Sequence, residues 1–565
     1  MPIETKLTPL DRFWKLLKPD QPEIKNVYTY AVFNGLINLS LPLGIQAIIN
    51  LIQGGRLNTS WVILVALVTL GVAMTGILQI YQLRIVENLQ QKIFTRAAFE
   101  FAYRVPRIKM EQLYKEYAPE LMNRFFDIIT VQKGLSKILI DFTAAGLQII
   151  FGLILLSFYH PFFILFSLLL IVLLYSIFRI TAKKGLQTSL QESKSKYKTV
   201  HWLEELARTN TTFKLTGKTD LPLSRTNKNI DNYLTSREGH FQILIRQFSM
   251  MVGFKVLITL GLLAIGGILV MDQLMNIGQF VAAEIIILLI MNSVEKLISS
   301  LETIYDVLTG IEKVGQVTDL ELEKNSGLDV EVECQSPGMQ VDLINLSFKY
   351  PENERLTLTK LNLSIKRGSL VALVGKNGSG KSTLIRLLAG LYELKSGQIL
   401  YDEIGKESFS VESLRSAIGD CLSQEELFQG TVFENVTMGK NISIGDVKEI
   451  CRKVHLTDFI NNLAMGYDTE LDPQGSGLAE STVQKLLVAR AILNAPKLLL
   501  VEDNLDAIDD EEKQDIIDFL RDKANKWTVI AATKNEYLIK KADQVVELEY
   551  GNIIYDGTPE NYKSK

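Results

Sequence analysis

At 565 residues the chain exceeds one ordinary domain, and its formal net charge of -4 excludes the concentrated basic excess of a nucleic-acid binder. The hydrophobic fraction of 47% averages two unlike parts. Apolar runs crowd before about residue 305 and ordinary soluble composition follows, so the first part meets lipid and the second meets water.

Residues 1–25 are polar and charged, read as a cytoplasmic N-terminal segment without a cleavable leader. The transmembrane domain is placed at 26–320. Asn26 to Gly55 and Leu57 to Leu83 hold no charged residue and are each long enough for a span, which takes about 20 helical residues. Phe142 to Tyr159 and Pro161 to Phe178 form a transmembrane hairpin. Val256 to Met271 and Gln273 to about Ser300 supply spans five and six, the last interrupted by Glu284, Glu295 and Lys296. A carboxylate amid apolar neighbours is costly, so Glu284 is assigned to a substrate path, against the alternative of a solvated cavity or interface position. Lys255 is expected to snorkel and Asp141 to sit among headgroups.

Lys92, Arg96, Arg104, Arg107, Lys109 and further cations follow span two, whereas the opposite links hold only Arg56. The termini, and with them the water-soluble part of the chain, are therefore expected in the cytoplasm. The inside segments 86–135 and 181–249 have helical periodicity and extend the spans.

A linker, 321–339, precedes a domain at 340–565 whose strand-like runs, among them Val341 to Tyr350 and Ser369 to Val374, alternate with helical stretches. The three cysteines of the water-soluble part, Cys334, Cys421 and Cys451, lack ligand spacing and read as unpaired thiols. Gly375-Lys376-Asn377-Gly378-Ser379-Gly380-Lys381-Ser382-Thr383 follows a strand and precedes the apolar helical run Leu384 to Leu391. Strand, glycine loop and helix make a phosphate-binding loop for ATP: backbone amides point at phosphate, Lys381 reaches the β- and γ-phosphates, and the Ser382 hydroxyl ligates Mg2+.

From Val341 onward about 200 residues resemble an ABC ATPase domain placed after a six-helix exporter membrane domain. That resemblance covers the whole chain and implies a fold class of α-helical membrane domain plus α/β P-loop ABC ATPase domain. It implies that Tyr350, after Asn345-Leu346-Ser347-Phe348-Lys349, stacks on adenine; a core tyrosine at a strand end is the other reading. Ile418 to Gln424 resembles the segment ending in the family's Q-loop glutamine, a Mg2+ contact. Counting puts Ser423 at the glutamine position and Gln424 one place late, so a one-residue adjustment is needed for Gln424 to serve.

Other motifs depart from the pattern. Leu478-Ala479-Glu480-Ser481-Thr482 stands where the family has LSGGQ, and Glu480 brings a carboxylate toward the phosphate bound by the opposite subunit. Leu498 to Asp503 occupies the Walker B strand. Spacing to Asp509 makes Glu502 the metal-orienting acid and puts Asp503, one methylene shorter, in place of the catalytic glutamate. Lys534 stands at the switch histidine, where it contributes a point charge. Ala118 to Phe125 and Leu203 to Gly217 resemble coupling segments.

The resemblance implies a half-transporter in a lipid bilayer, multi-pass in the cell (inner) membrane, paired with itself or a related half. It implies export as in peptide exporters or type I secretion, the latter with a periplasmic adaptor and outer-membrane channel. ATP-dependent export with weakened hydrolysis is the leading expectation. A degenerate half of a heterodimer and an ATP-gated scaffold are the alternatives.

Overall fold

The computed structural model describes residues 7–53, 59–114, 117–423, 425–502 and 505–562. The chain divides into two units, Met1–Pro106 with Glu116–Leu320, and Arg107–Lys115 with Glu321–Lys565.

Among the described residues, the first unit carries six helical segments long and apolar enough to cross a membrane: Pro9–Gln53, Thr59–Arg107, Ala118–Ser157, Pro161–Arg208, Leu221–Met271 and Ile277–Thr318. Several continue far past their apolar stretch. The 46-residue helix Thr59–Arg104 is about 70 Å long at 1.5 Å per residue. Local chemistry fixes the ends. His160 Nδ1 accepts the Phe162 amide at 3.2 Å and Pro161 supplies a preset first turn, so the fourth helix starts directly after the hairpin. Asn276 Oδ1 accepts the Gln279 amide at 2.7 Å while the Gln279 side chain returns to the Asn276 amide at 2.9 Å. This capping box starts the sixth helix at Ile277, four residues after the expected Gln273, which adopts φ 57° in the turn.

One expectation in this unit is corrected. The first apolar run is two helices, Gln21–Asn38 and Ser40–Gln53, because Pro42 lacks the amide that would bond back across Leu39. The Lys255 ammonium meets Glu295 at 2.5 Å, fifth helix to sixth. Before the first span lies an amphipathic helix, Pro9–Leu17, capped by reciprocal Thr8 and Asp11 bonds. Its Arg12 pairs with Glu312 and, at 2.5 Å, with Asp319 near the end of the sixth helix.

Among the described residues, the second unit has twelve strands: β1 Val341–Phe348, β2 Leu358–Ile365, β3 Leu370–Val374, β4 Ser396–Tyr401, β5 Ile404–Gly405, β6 Ile418–Cys421, β7 Gly430–Thr431, β8 Glu470–Leu471, β9 Leu498–Glu502, β10 Thr528–Ala532, β11 Gln544–Glu549 and β12 Asn552–Gly557. A four-stranded antiparallel sheet runs β2-β1-β4-β5, and a six-stranded sheet runs β12-β11-β3-β10-β9-β6, parallel except for β12. β3, β9 and β10 are buried at every residue, as strands covered on both faces must be. Because β3, β10, β9 and β6 are neighbours and parallel, the loops leaving their carboxyl ends line one edge of the sheet.

The second unit takes in chain that precedes the expected domain in sequence. Val330, Cys334 and Met339 are buried in its core, and Lys497 Nζ donates to the Cys334 and Ser336 carbonyls at 2.5 and 3.0 Å, so residues expected as linker are packed structure. Ile108 bridges Leu322 antiparallel, and Lys109 pairs with Glu321 and Glu393 at 3.0 and 3.1 Å.

Candidate functional site

The glycine loop leaves β3 and curls into helix Lys381–Leu388, three residues earlier than the expected Leu384. At Gly375, φ is 140° and a Cβ would lie 2.2 Å from the Leu548 carbonyl oxygen; at Gly380, φ is 108°. Only glycine fits this path. Lys381 Nζ donates to the Gly375 and Lys376 carbonyls at 2.7 and 3.2 Å, folded over its own loop. The Ser379 hydroxyl is buried without a hydrogen-bond partner among the described residues. Lys376, Asn377 and Gly378 are exposed at the rim. Exposed amides, an ammonium and an orphaned hydroxyl at a helix N-terminus fit a polyphosphate.

At the end of β9, Glu502 is buried and accepts the Ser423 amide at 3.1 Å and hydroxyl at 2.8 Å. Burial works to raise its pKa, but hydrogen bonds from Ser382 and Ser423, with the Arg386 charge, outweigh it and hold the pKa below its ordinary value. Ser382 and Glu502 thus meet as an ionised carboxylate and a hydroxyl, a donor set that suits Mg2+. Gln424 and Asp503 lie outside the described residues. The residue brought to Glu502 is Ser423, the position that counting from Ile418 indicates.

Tyr350, half-buried beyond β1, bonds through its hydroxyl to Thr383 Oγ1 at 3.1 Å. Tyr392 meets it edge-on at 5.3 Å and 88°, and Tyr114 stacks on it at 5.3 Å with 18° between the rings. The sequence gives no signal for Tyr114, which lies in the detached segment.

Helix Glu480–Ile492 opens at the signature-like motif. Ala479 is its N-cap and offers no side-chain acceptor, Glu480 is exposed in the first turn, and Thr482 donates its amide to the Ala479 carbonyl at 2.9 Å. No hydrogen bond among the described residues joins Leu478–Thr482 to the glycine loop, and Ser481 is half-buried. The helix's Arg490 donates to the Asn435 carbonyl at 2.8 Å and lies 3.8 Å from Glu425. Lys534 is exposed in the loop leaving β10.

In the first unit, Glu284 is half-buried in the sixth helix between Ala283 and Ile286, with no hydrogen bond or ion pair among the described residues. The segments at 118–125 and 203–217 contain short helices, Ala118–Asn123 and Asn210–Thr216, the second leaving Leu215 83% exposed.

The model of the ABC transporter transmembrane region matches residues 27–294, and that of the ABC transporter matches residues 358–505. Two Staphylococcus aureus proteins, of strains bovine RF122 and NCTC 8325, provisionally named multidrug export ATP-binding/permease proteins, are 36% and 37% identical over 220 residues, 39% of this chain. The match spans 38% of the length of these curated relatives. The solved structure of a bacterial Atm1-family ABC exporter with ATP bound superposes with a TM-score of 0.80 at 19% identity over 96% of each chain.

Proposed function

Since the chain belongs to the ABC transporters, as a half-transporter of the exporter type with transmembrane region and ATP-binding domain fused, we propose that it dimerises in the cell membrane, binds two ATP between its ATPase domains and couples their closure to export. The observation that carries this reading is the corner where Ser382, Glu502 and Ser423 meet beside a glycine loop, in a chain with six apolar helices.

Tyr350 takes adenine, the amides of 375–380 and Lys381 take phosphate, and Ser382 and Glu502 hold Mg2+ with Ser423 or Gln424 alongside. The ion supplies charge neutralisation for the triphosphate. Asp503 serves as base with shortened reach, and Ala479 and Glu480 present a weakened signature to the partner's nucleotide, facing its Lys534. Glu284 lines the solute path. The cation bias inside supports a cytoplasmic ATPase domain. The multidrug export in the relatives' names supports small-molecule cargo, which needs neither periplasmic adaptor nor outer-membrane channel.

A second reading, an ATP-gated scaffold without useful turnover or a degenerate half needing an intact partner chain, draws on the uncapped signature helix. Steady-state Mg-ATPase activity of the purified protein in lipid, with Lys381→Ala as background, separates them. Activity well above background supports an autonomous pump. Activity equal to background, with ATP binding retained, removes that reading and leaves the second.

A further inference from the structure

In the first unit, where the long helices run past their apolar stretches, a cavity of about 620 Å³ opens between Arg124, the fourth helix, the start of the fifth and the end of the sixth. Its walls carry five strong cations, Arg124, Lys194, Lys198, Arg225 and Lys313, against the carboxylates Glu120 and Glu312. Glu312 pairs with Arg12 outside the cavity, and Glu120 lies 2.8 Å from Nδ1 of His201, itself a lining residue. The nearby Asp127 accepts the Tyr197 hydroxyl at 2.5 Å.

None of the five cations makes a direct ion pair among the described residues, and Asp127 acts on Lys313 and Arg124 only from farther off. The Lys313 ammonium lies 4.8 Å over the Tyr197 ring, is 8% exposed, and makes no hydrogen bond or ion pair among the described residues. Arg124 Nε is buried and unbonded. The Arg225 guanidinium carbon lies 4.3 Å from the Trp202 ring centroid, and the indole N–H is already given to Thr226 Oγ1 at 3.1 Å, so the guanidinium packs over the ring with no hydrogen bond among the described residues using its donors. Gathering like charges around a cavity and burying one of them is unfavourable unless an anion is bound there.

We propose that this cavity is a binding site for a soluble, multiply charged oxyanion bearing carboxylate or phosphate groups. Lipid headgroups are out of reach: Lys194 follows Phe178, the last residue of the uncharged run, by 16 residues of one helix, about 24 Å at 1.5 Å per residue. The volume lies within the roughly 300–1,000 Å³ of small-molecule sites. Paired donors on Arg124 and Arg225 suit planar or tetrahedral oxyanions, and the lysines add charge without fixed geometry.

The test uses the full chain in phosphatidylcholine nanodiscs on a Lys381→Ala background, so that the glycine loop does not compete, titrated calorimetrically with citrate and with inorganic pyrophosphate. Saturable binding of either probe is expected; citrate alone identifies a carboxylate ligand and pyrophosphate alone a phosphate ligand. Lys194 and Lys198 are exposed, so Lys194→Gln with Lys198→Gln keeps the fold and is expected to weaken binding at least about tenfold, while Lys313→Met abolishes it. No saturable binding of either probe up to about 10 mM, or an unchanged affinity in the lysine double variant, would overturn the proposal.

Discussion

The carboxylate of Glu502 carries the most chemistry for its size, and Ser423 is its adjustable neighbour. Ser423→Ala removes one hydrogen bond to a charged group and leaves the amide bond in place, so Mg-dependent affinity for a fluorescent ATP analogue should fall about tenfold, with Mg-free affinity nearly unchanged. The signature offers the complementary gain. Ala479→Ser supplies the missing cap of helix Glu480–Ile492, expected to add about 1 kcal/mol, read as a higher thermal midpoint of the ATPase domain. Asp503→Glu should raise the Mg-ATPase rate by up to about 10²-fold if reach limits the base. At this scale the glycine loop was legible because each residue type has one physical task there. Ser423 was legible by counting. Tyr114 was not, since a stack between segments remote in sequence leaves no local pattern.

Among elements, the order β3-β10-β9-β6 explains why motifs scattered over more than 150 residues converge: each follows a strand end. Strand existence was readable from buried apolar runs, whereas helix limits depended on details such as the Asn276 capping box and Pro42, which hydropathy smooths over. The same sheet edge holds a pH-sensitive tether. Burial, then the neighbouring Asp420 charge, pushes the Glu425 carboxyl from its ordinary 4.5 up to about 8, against the lowering pull of the Leu422 amide and Arg490. The folded domain keeps a proton that the unfolded chain gives up near 4.5, so stability declines as pH rises from about 4.5 to about 8. Thermal midpoints between pH 5.5 and 8.5 should show that decline in the wild type and a flatter profile in Glu425→Gln, whose amide needs no proton.

For the whole molecule, the unit to test is the proposed pair of chains. If Glu480 of one copy and Lys534 of the other approach the same γ-phosphate, exchanging both charges should restore nucleotide-dependent dimerisation that either single exchange impairs, a coupling of about 0.5–3 kcal/mol in a double-mutant cycle read by crosslinking or light scattering. Equal impairment in single and double variants would show that the two residues do not interact. Hydropathy made the membrane class and the division into lipid-facing and water-facing parts legible, because those follow from composition summed over long stretches. The exact membership of each part was not legible.

That membership has a practical side. Residues 107–114 belong to the ATPase unit through the Ile108–Leu322 bridge, the Lys109 pairs and the Tyr114 ring, yet they are written inside the membrane half of the sequence. A soluble fragment cut from 321 onward is consequently a jigsaw with one tile missing, and the bare face of Tyr350 becomes an assay. A synthetic peptide of 107–114 should bind that fragment in trans and quench its tyrosine fluorescence, whereas the same peptide with Tyr114→Ala should not.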